Sequence, residues 1–171
     1  MIKDVESGNV GVVNDRLAVP RYADDKLAAS TLILADQIER VSTRQIGLGQ
    51  FVIGDSKVRP RMNNAFTTDD KLGIYLQVYN LGIDQQTHRP SATVDYRVLR
   101  DKNEVLRFSE TSAQVENSGE QMTIAKLLNL GGLEPGSYKL EVVINDQVNK
   151  QSLTQTADFT VKAAPKTAAM K

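Results

Sequence analysis

The chain has 171 residues, with 21 Lys+Arg against 21 Asp+Glu, a single His, and neither Cys nor Trp. The balanced charge removes the electrostatic case for nucleic acid as a partner. The lack of Cys excludes disulfides, thiolate chemistry and Cys-based zinc or iron–sulfur sites. The length suffices for one buried core, and no run approaches the roughly 18 apolar residues of a membrane span, so no membrane insertion is expected.

In chain order, residues 1–20 read as a β-hairpin. They can be laid over the end of the chain with one offset of 142 residues, the difference between 144 and 2. Ile2-Lys3-Asp4 then falls on Ile144-Asn145-Asp146, and Leu17-Ala18-Val19 on Phe159-Thr160-Val161, without a gap. The overlay predicts that 1–20 is the final hairpin of a preceding sandwich repeat. A lone hairpin is marginal in water and has open edges. It is therefore expected to join the main sheet, to pair chains into a homodimer, or to stay loosely ordered. Met1-Ile2-Lys3-Asp4 shows no signal-peptide pattern.

Residues 24–41 combine helix formers with an acidic start, yet their apolar residues bunch as Leu32-Ile33-Leu34-Ala35, which predicts a strand over about 30–35. Gly47-Leu48-Gly49 is not followed by the residues of a phosphate loop and reads as a turn before Phe51-Val52-Ile53. Leu72, Ile74, Leu76 and Val78 then alternate with Gly73, Tyr75, Gln77 and Tyr79. Ala92, Val94, Tyr96 and Val98 do the same, as do Tyr138, Leu140, Val142 and Ile144, and Phe159 and Val161 flank Thr160. Period-two alternation marks half-buried strands. Residues 120–128 are expected to be another strand. Turn signals separate these runs at Asn80-Leu81-Gly82, Asp101-Lys102-Asn103, Asn117-Ser118-Gly119 and Glu134-Pro135-Gly136. In the last, Pro135 fixes φ and Gly136 is free to take positive φ, as a tight turn needs. Short strands without intervening helices predict an all-β, antiparallel β-sandwich with an additional N-terminal hairpin segment. The expected division is 1–20 hairpin remnant, 21–57 connecting segment and first strands, 58–162 sandwich, and 163–171 flexible tail.

The run from Leu133 to Asp146 (LEPGSYKLEVVIND) resembles the corner and following strand of immunoglobulin-like and fibronectin type III-like domains. The resemblance implies a tyrosine corner built by Pro135, Gly136 and Tyr138, with the Tyr138 hydroxyl bonded to backbone just upstream. The Asp101-Lys102-Asn103 turn with Glu104-Val105 is similar to a hairpin of the same folds. Residues 27–35 and 71–80 look similar to the C-terminal region of VWFA-related and GWxTD-type exported bacterial proteins. That likeness implies an accessory module in an extracytoplasmic setting, periplasmic or cell-surface. The sequence departs from that family in having no VWFA fold and no GWxTD motif, so no metal-adhesion site carries over.

Candidate chemistry is sparse. His88 lies in a polar loop without an identifiable nucleophile or orienting group, which favours a solvated residue over a general base. Asp24-Asp25 and Asp69-Asp70 offer oxygen ligands but lack calcium-loop spacing. Asp55 and Glu104 could act as paired carboxylates only if folding joined them. Arg59, Arg61, Arg97, Arg100 and Arg107 lie among acids, not in a stripe. Tyr75, Gln77 and Tyr79 share one strand face and form the candidate surface contact, for protein or for sugar stacking. The expectation is a non-enzymatic structural or protein-interaction module without cofactor or metal. Its partner would be another protein or neighbouring domains of the same polypeptide. The alternative is a carbohydrate- or small-ligand-binding sandwich.

Overall fold

The computed structural model describes residues 2–3, 5–8, 10–12, 23, 25–42, 44, 46 and 49–164. A short hairpin, β1 (Ile2–Lys3) and β2 (Val10–Gly11), forms a separate two-stranded sheet. The larger sheet of the body contains β3 (Ala28–Ala29), β4 (Ile33–Arg40), β5 (Val52–Ile53), β6 (Ser56–Pro60), β8 (Lys71–Tyr79), β11 (Glu116–Ser118) and β12 (Gln121–Asn129). The opposing sheet is formed by β7 (Ala65–Thr67), β9 (Ala92–Arg100), β10 (Asn103–Thr111), β13 (Gly136–Asp146) and β14 (Gln151–Lys162). Its order is β10-β9-β13-β14-β7, against β11-β12-β8-β4-β6-β5 in the first, with β3 also paired to β8. The protein is an all-β sandwich.

The alternating residues make the core. Leu72, Ile74, Leu76 and Val78 of β8 are fully buried in one cluster with Val94, Tyr96 and Val98 of β9 and Leu140, Val142 and Ile144 of β13. Met122 and Ile124 of β12 join them, which accounts for the strand over 120–128. The bunched run Leu32–Ala35 leads into β4, which starts at Ile33, and it is covered on both faces. Leu32 and Leu34 enter the main core, whereas Ala35 packs on the other side with Tyr75 and Val58. Two-sided burial turns an alternating pattern into a continuous apolar one.

Gly73 lies opposite Ala35 in the β4–β8 pair. A Cβ on Gly73 would come within 2.9 Å of the Ala35 carbonyl oxygen, so glycine permits the close approach of the two strands.

As expected, strand pairing is mainly antiparallel; the exception among the described residues is β7, which runs parallel to the end of β14, with Val161 opposite Phe66. The first strands, expected within 21–57, contribute Leu27, Ala29, Leu32 and Leu34 to the core, and β6 runs across 57/58. Gly136 opens β13 without positive φ; the left-handed positions are Asn80, Asp101, Lys102 and Gly119 in the neighbouring turns. Instead, the bare Cα of Gly136 admits the Arg100 guanidinium, whose atoms would lie 3.3–3.4 Å from a Cβ. The expected returning strand at 17–19 and the tail over 165–171 fall outside the described residues.

Asp146, at the end of β13, is 3% exposed. Its carboxylate accepts the N–H groups of Gly82 (2.8 Å), Val148 (2.9 Å) and Asn149 (3.1 Å), tying the β13–β14 turn to the turn after β8. Asp146→Ala strands the buried Gly82 N–H and leaves two turn donors unmatched, and urea denaturation should show a loss of about 1–3 kcal/mol.

Candidate interaction surface

The Pro135 corner is built from the chain outward. The Tyr138 hydroxyl donates to the Glu134 carbonyl at 2.6 Å, and its ring stacks on Phe159 with centroids 5.5 Å apart. Arg100, from the end of β9, donates to Glu134 at 2.8 Å and lies 5.8 Å from the Tyr138 ring centre. That hydrogen bond, followed by the electrostatic effect of Tyr138, raises the Arg100 pKa. The corner is a brace between β9 and β13.

Tyr75, Gln77 and Tyr79 do share the outer face of β8, but the face is not free. Tyr75 is 2% exposed, packed with Ala35 and Val58 beneath the β5–β6 hairpin. Burial pushes its hydroxyl pKa up. Gln77 bridges the two rings: its Nε2 donates to the Tyr75 hydroxyl at 3.2 Å and its Oε1 accepts from the Tyr79 hydroxyl at 2.7 Å. The expected surface contact is thus corrected at Tyr75, which holds the hairpin down. The error arose because alternation shows which residues share a face, not whether a distant hairpin covers that face.

The remaining candidates are held apart or engaged locally. His88 has φ of 53° in an exposed loop, and its N–H donates to the Asp84 carbonyl. The Asp84 carboxylate accepts from the Thr87 N–H (2.8 Å), the Thr87 hydroxyl (3.0 Å) and the Gln86 N–H (3.1 Å), which pulls its pKa down. Asp70 accepts from the Thr67 N–H at 2.7 Å and lies 3.4 Å from Arg61. Asp24 lies outside the described residues. Asp55 sits at the β5–β6 turn of one sheet and Glu104 near the start of β10 in the other. All five arginines face carboxylates: Arg59 and Arg61 meet Asp36, Arg97 meets Glu104, Arg100 meets Glu134, and Arg107 meets Asp95.

Among the described residues, two of the concavities bear on function. One, of about 740 Å³, lies on the five-stranded sheet where Leu99, Lys139, Asp158 and Asn64 converge with Lys102 and Glu141, so its charges are mixed. The other, of about 420 Å³, is lined by residues of both sheets and includes a polar cluster. There the Tyr96 hydroxyl donates to Glu110 at 3.0 Å, and Lys126 pairs with the other Glu110 oxygen. Burial and the adjoining carboxylate drive the Tyr96 pKa upward. Tyr96 stacks on Phe108 with centroids 4.4 Å apart, and the Lys126 ammonium lies 5.5 Å from the Phe108 ring centre. The cluster joins β10 of one sheet to β12 of the other. Sequence reading missed it because no local pattern links positions 110 and 126.

These features define an all-β sandwich whose polar groups mainly brace strands and turns. No protein-family model matches the chain, and no curated protein matches it.

Tyr138→Phe keeps the stacked ring and removes the bond to Glu134, so chemical denaturation should register a loss of about 1 kcal/mol. Because the folded pKa of Asp84 is depressed, its contribution to stability is present above the ordinary value of 3.8 and is lost as pH falls through the lower folded value. A carboxyl-carbon NMR titration should place the Asp84 midpoint below 3.8. Thr87→Ala, which keeps both backbone donors, should recover only part of that depression.

Proposed function

We propose that the chain is a non-enzymatic structural or protein-interaction module of a larger, multi-domain protein, in which similar sandwiches follow one another. The observation that carries this reading is the geometry of the first hairpin. Ile2 pairs with Gly11 and Lys3 with Val10. Adding 142 to each number gives Ile144 with Leu153 and Asn145 with Ser152, which are paired residues of the β13–β14 hairpin. The same offset carries Gly8, at φ of 72°, onto Lys150, at φ of 55°. A sequence overlay with few identities thus preserves both register and the left-handed turn position. Register in a hairpin is set by the turn and its length, so agreement in both supports a common origin for the two hairpins.

The exported bacterial setting rests on the resemblance of the Leu133–Asp146 run and of residues 27–35 and 71–80. The carbohydrate-binding alternative loses its platform, since Tyr75 is packed under a hairpin.

If residues 1–20 belong to a neighbouring repeat, their deletion should leave the amide spectrum of residues 28–164 and the thermal midpoint essentially unchanged. Loss of cooperative unfolding, or displaced core resonances, would count against the modular reading. A glycan array should return no binder; a reproducible hit would restore the carbohydrate reading.

A further inference from the structure

We propose that the outer edge of β14, unpaired over Ser152–Thr156 among the described residues, is a self-complementary strand-pairing site, and that its occupant is β14 of a second copy of this chain in antiparallel register about Thr154. This goes beyond the modular reading and stands on β14 alone, whether or not residues 2–11 derive from a repeat.

The direction of the open backbone groups follows from the contacts at the far end of the strand. The Thr160 N–H donates to Asn64 at 2.9 Å, the Lys162 carbonyl accepts from Thr68 at 3.0 Å, and the Asp158 carbonyl accepts from the Asn64 side chain at 3.2 Å. Even-numbered residues of β14 therefore point their N–H and C=O away from β13. β7 covers this edge only at Thr160–Lys162. At the other end, the Gln151 side chain holds the segment at 25–27, accepting from the Leu27 N–H and donating to the Asp25 carbonyl. Between these ends, Ser152, Thr154 and Thr156 belong to no outward strand pair among the described residues, although β3 passes close to β14.

Exposed edges are ordinarily guarded by charge, proline, bulges or shortness. The other long edge of this sheet, β10, follows that rule: it carries Glu104, Arg107 and Glu110 and has a bulge between Glu104 and Leu106. Residues 151–157 (QSLTQTA) contain no charge and no proline, and their pairing with β13 is regular. Leu153 and Ala157, on the core side, are left half-buried.

The charges that flank this stretch select the partner. In an antiparallel pair centred on Thr154, Thr154 faces its own copy, Ser152 faces Thr156, and Leu153 faces Gln155. Just beyond, the exposed Lys150 of each chain faces the exposed Asp158 of the other. Thr–Thr, Thr–Ser and opposite-charge pairs directly across strands are favourable, and a two-fold axis satisfies both flanking pairs at once. The outward groups of Ser152, Thr154 and Thr156 would then hydrogen-bond across the axis, joining two five-stranded sheets through their β14 edges.

Sedimentation equilibrium of the full chain over a micromolar-to-millimolar series should reveal a monomer–dimer equilibrium. Thr154→Pro removes the central donor at a position where an edge strand tolerates proline. It should raise the dissociation constant roughly tenfold or more while thermal unfolding remains cooperative; Thr154→Ala, which keeps the N–H, should still dimerise. Lys150→Asp, which needs no backbone change, should weaken the dimer by setting carboxylates opposite each other. Adding Asp158→Lys should restore it. A monomer throughout the series overturns the proposal. So does a dimer indifferent to Thr154→Pro and to Lys150→Asp, or one abolished by deleting residues 1–20 but not by these substitutions.

Discussion

Strand β8 is buried on both of its faces, and much of the sandwich is arranged around that demand. Leu72, Ile74, Leu76 and Val78 face the opposing sheet, while Tyr75 on the reverse side is equally hidden. Each large apolar side chain so buried contributes on the order of 1.5–3 kcal/mol. The reverse face requires a second cover, which β4 and the β5–β6 hairpin provide through Ala35, Val58 and the adjoining Ile38 and Ile53. That cover can approach closely because position 73 lacks a Cβ. The insertion between β4 and β7 is thus part of the packing of the sandwich.

The polar groups complete what the apolar faces begin. Buried strands bring the two sheets together but leave the ends and rims to be fixed. Asp146 ties two turns at one end, the Tyr138–Glu134 bond with Arg100 braces the Pro135 corner, and Glu110 with Tyr96 and Lys126 links the sheets at a rim. Their value differs with burial. Asp146, itself buried, binds the buried Gly82 N–H, where an unmade bond is costly. The surface ion pairs of Arg40 with Glu116 or Arg59 with Asp36 stay accessible to water and contribute little each. Their larger effect is to neutralise the arginines across the surface.

Local pattern was sufficient for β8, β9 and β13, whose alternating residues became one core, and for the run Leu32–Ala35, where bunching distinguished a doubly covered strand from a helix. It was insufficient wherever the deciding contact lies far away in sequence. Tyr75 looked exposed because the hairpin that covers it carries no mark of its destination. Gly136 looked like a turn glycine because its dipeptide is a turn signal, while the steric demand comes from Arg100 in another strand. The pairing of Glu110 with Lys126 depends on which edges the two sheets bring together, and the parallel β7–β14 pair depends on the chain crossing between sheets after β6. Period and composition carry no information about such crossings.

The edges show where folding and association make different demands. A sheet needs its interior strands regular, and β14 meets that need through eleven consecutive registered pairs with β13. The same regularity leaves the outward side of residues 152–156 straight and chemically uniform, which is what a pairing strand requires. β10 avoids this with charges and a bulge, so the two ends of one sheet have been treated differently. A bare edge beside a guarded one concentrates any strand pairing at a single place, and the opposite charges at positions 150 and 158 then favour one register over a slipped one. Specificity at a backbone edge must come from such flanks, because the hydrogen-bonding groups themselves are alike at every residue.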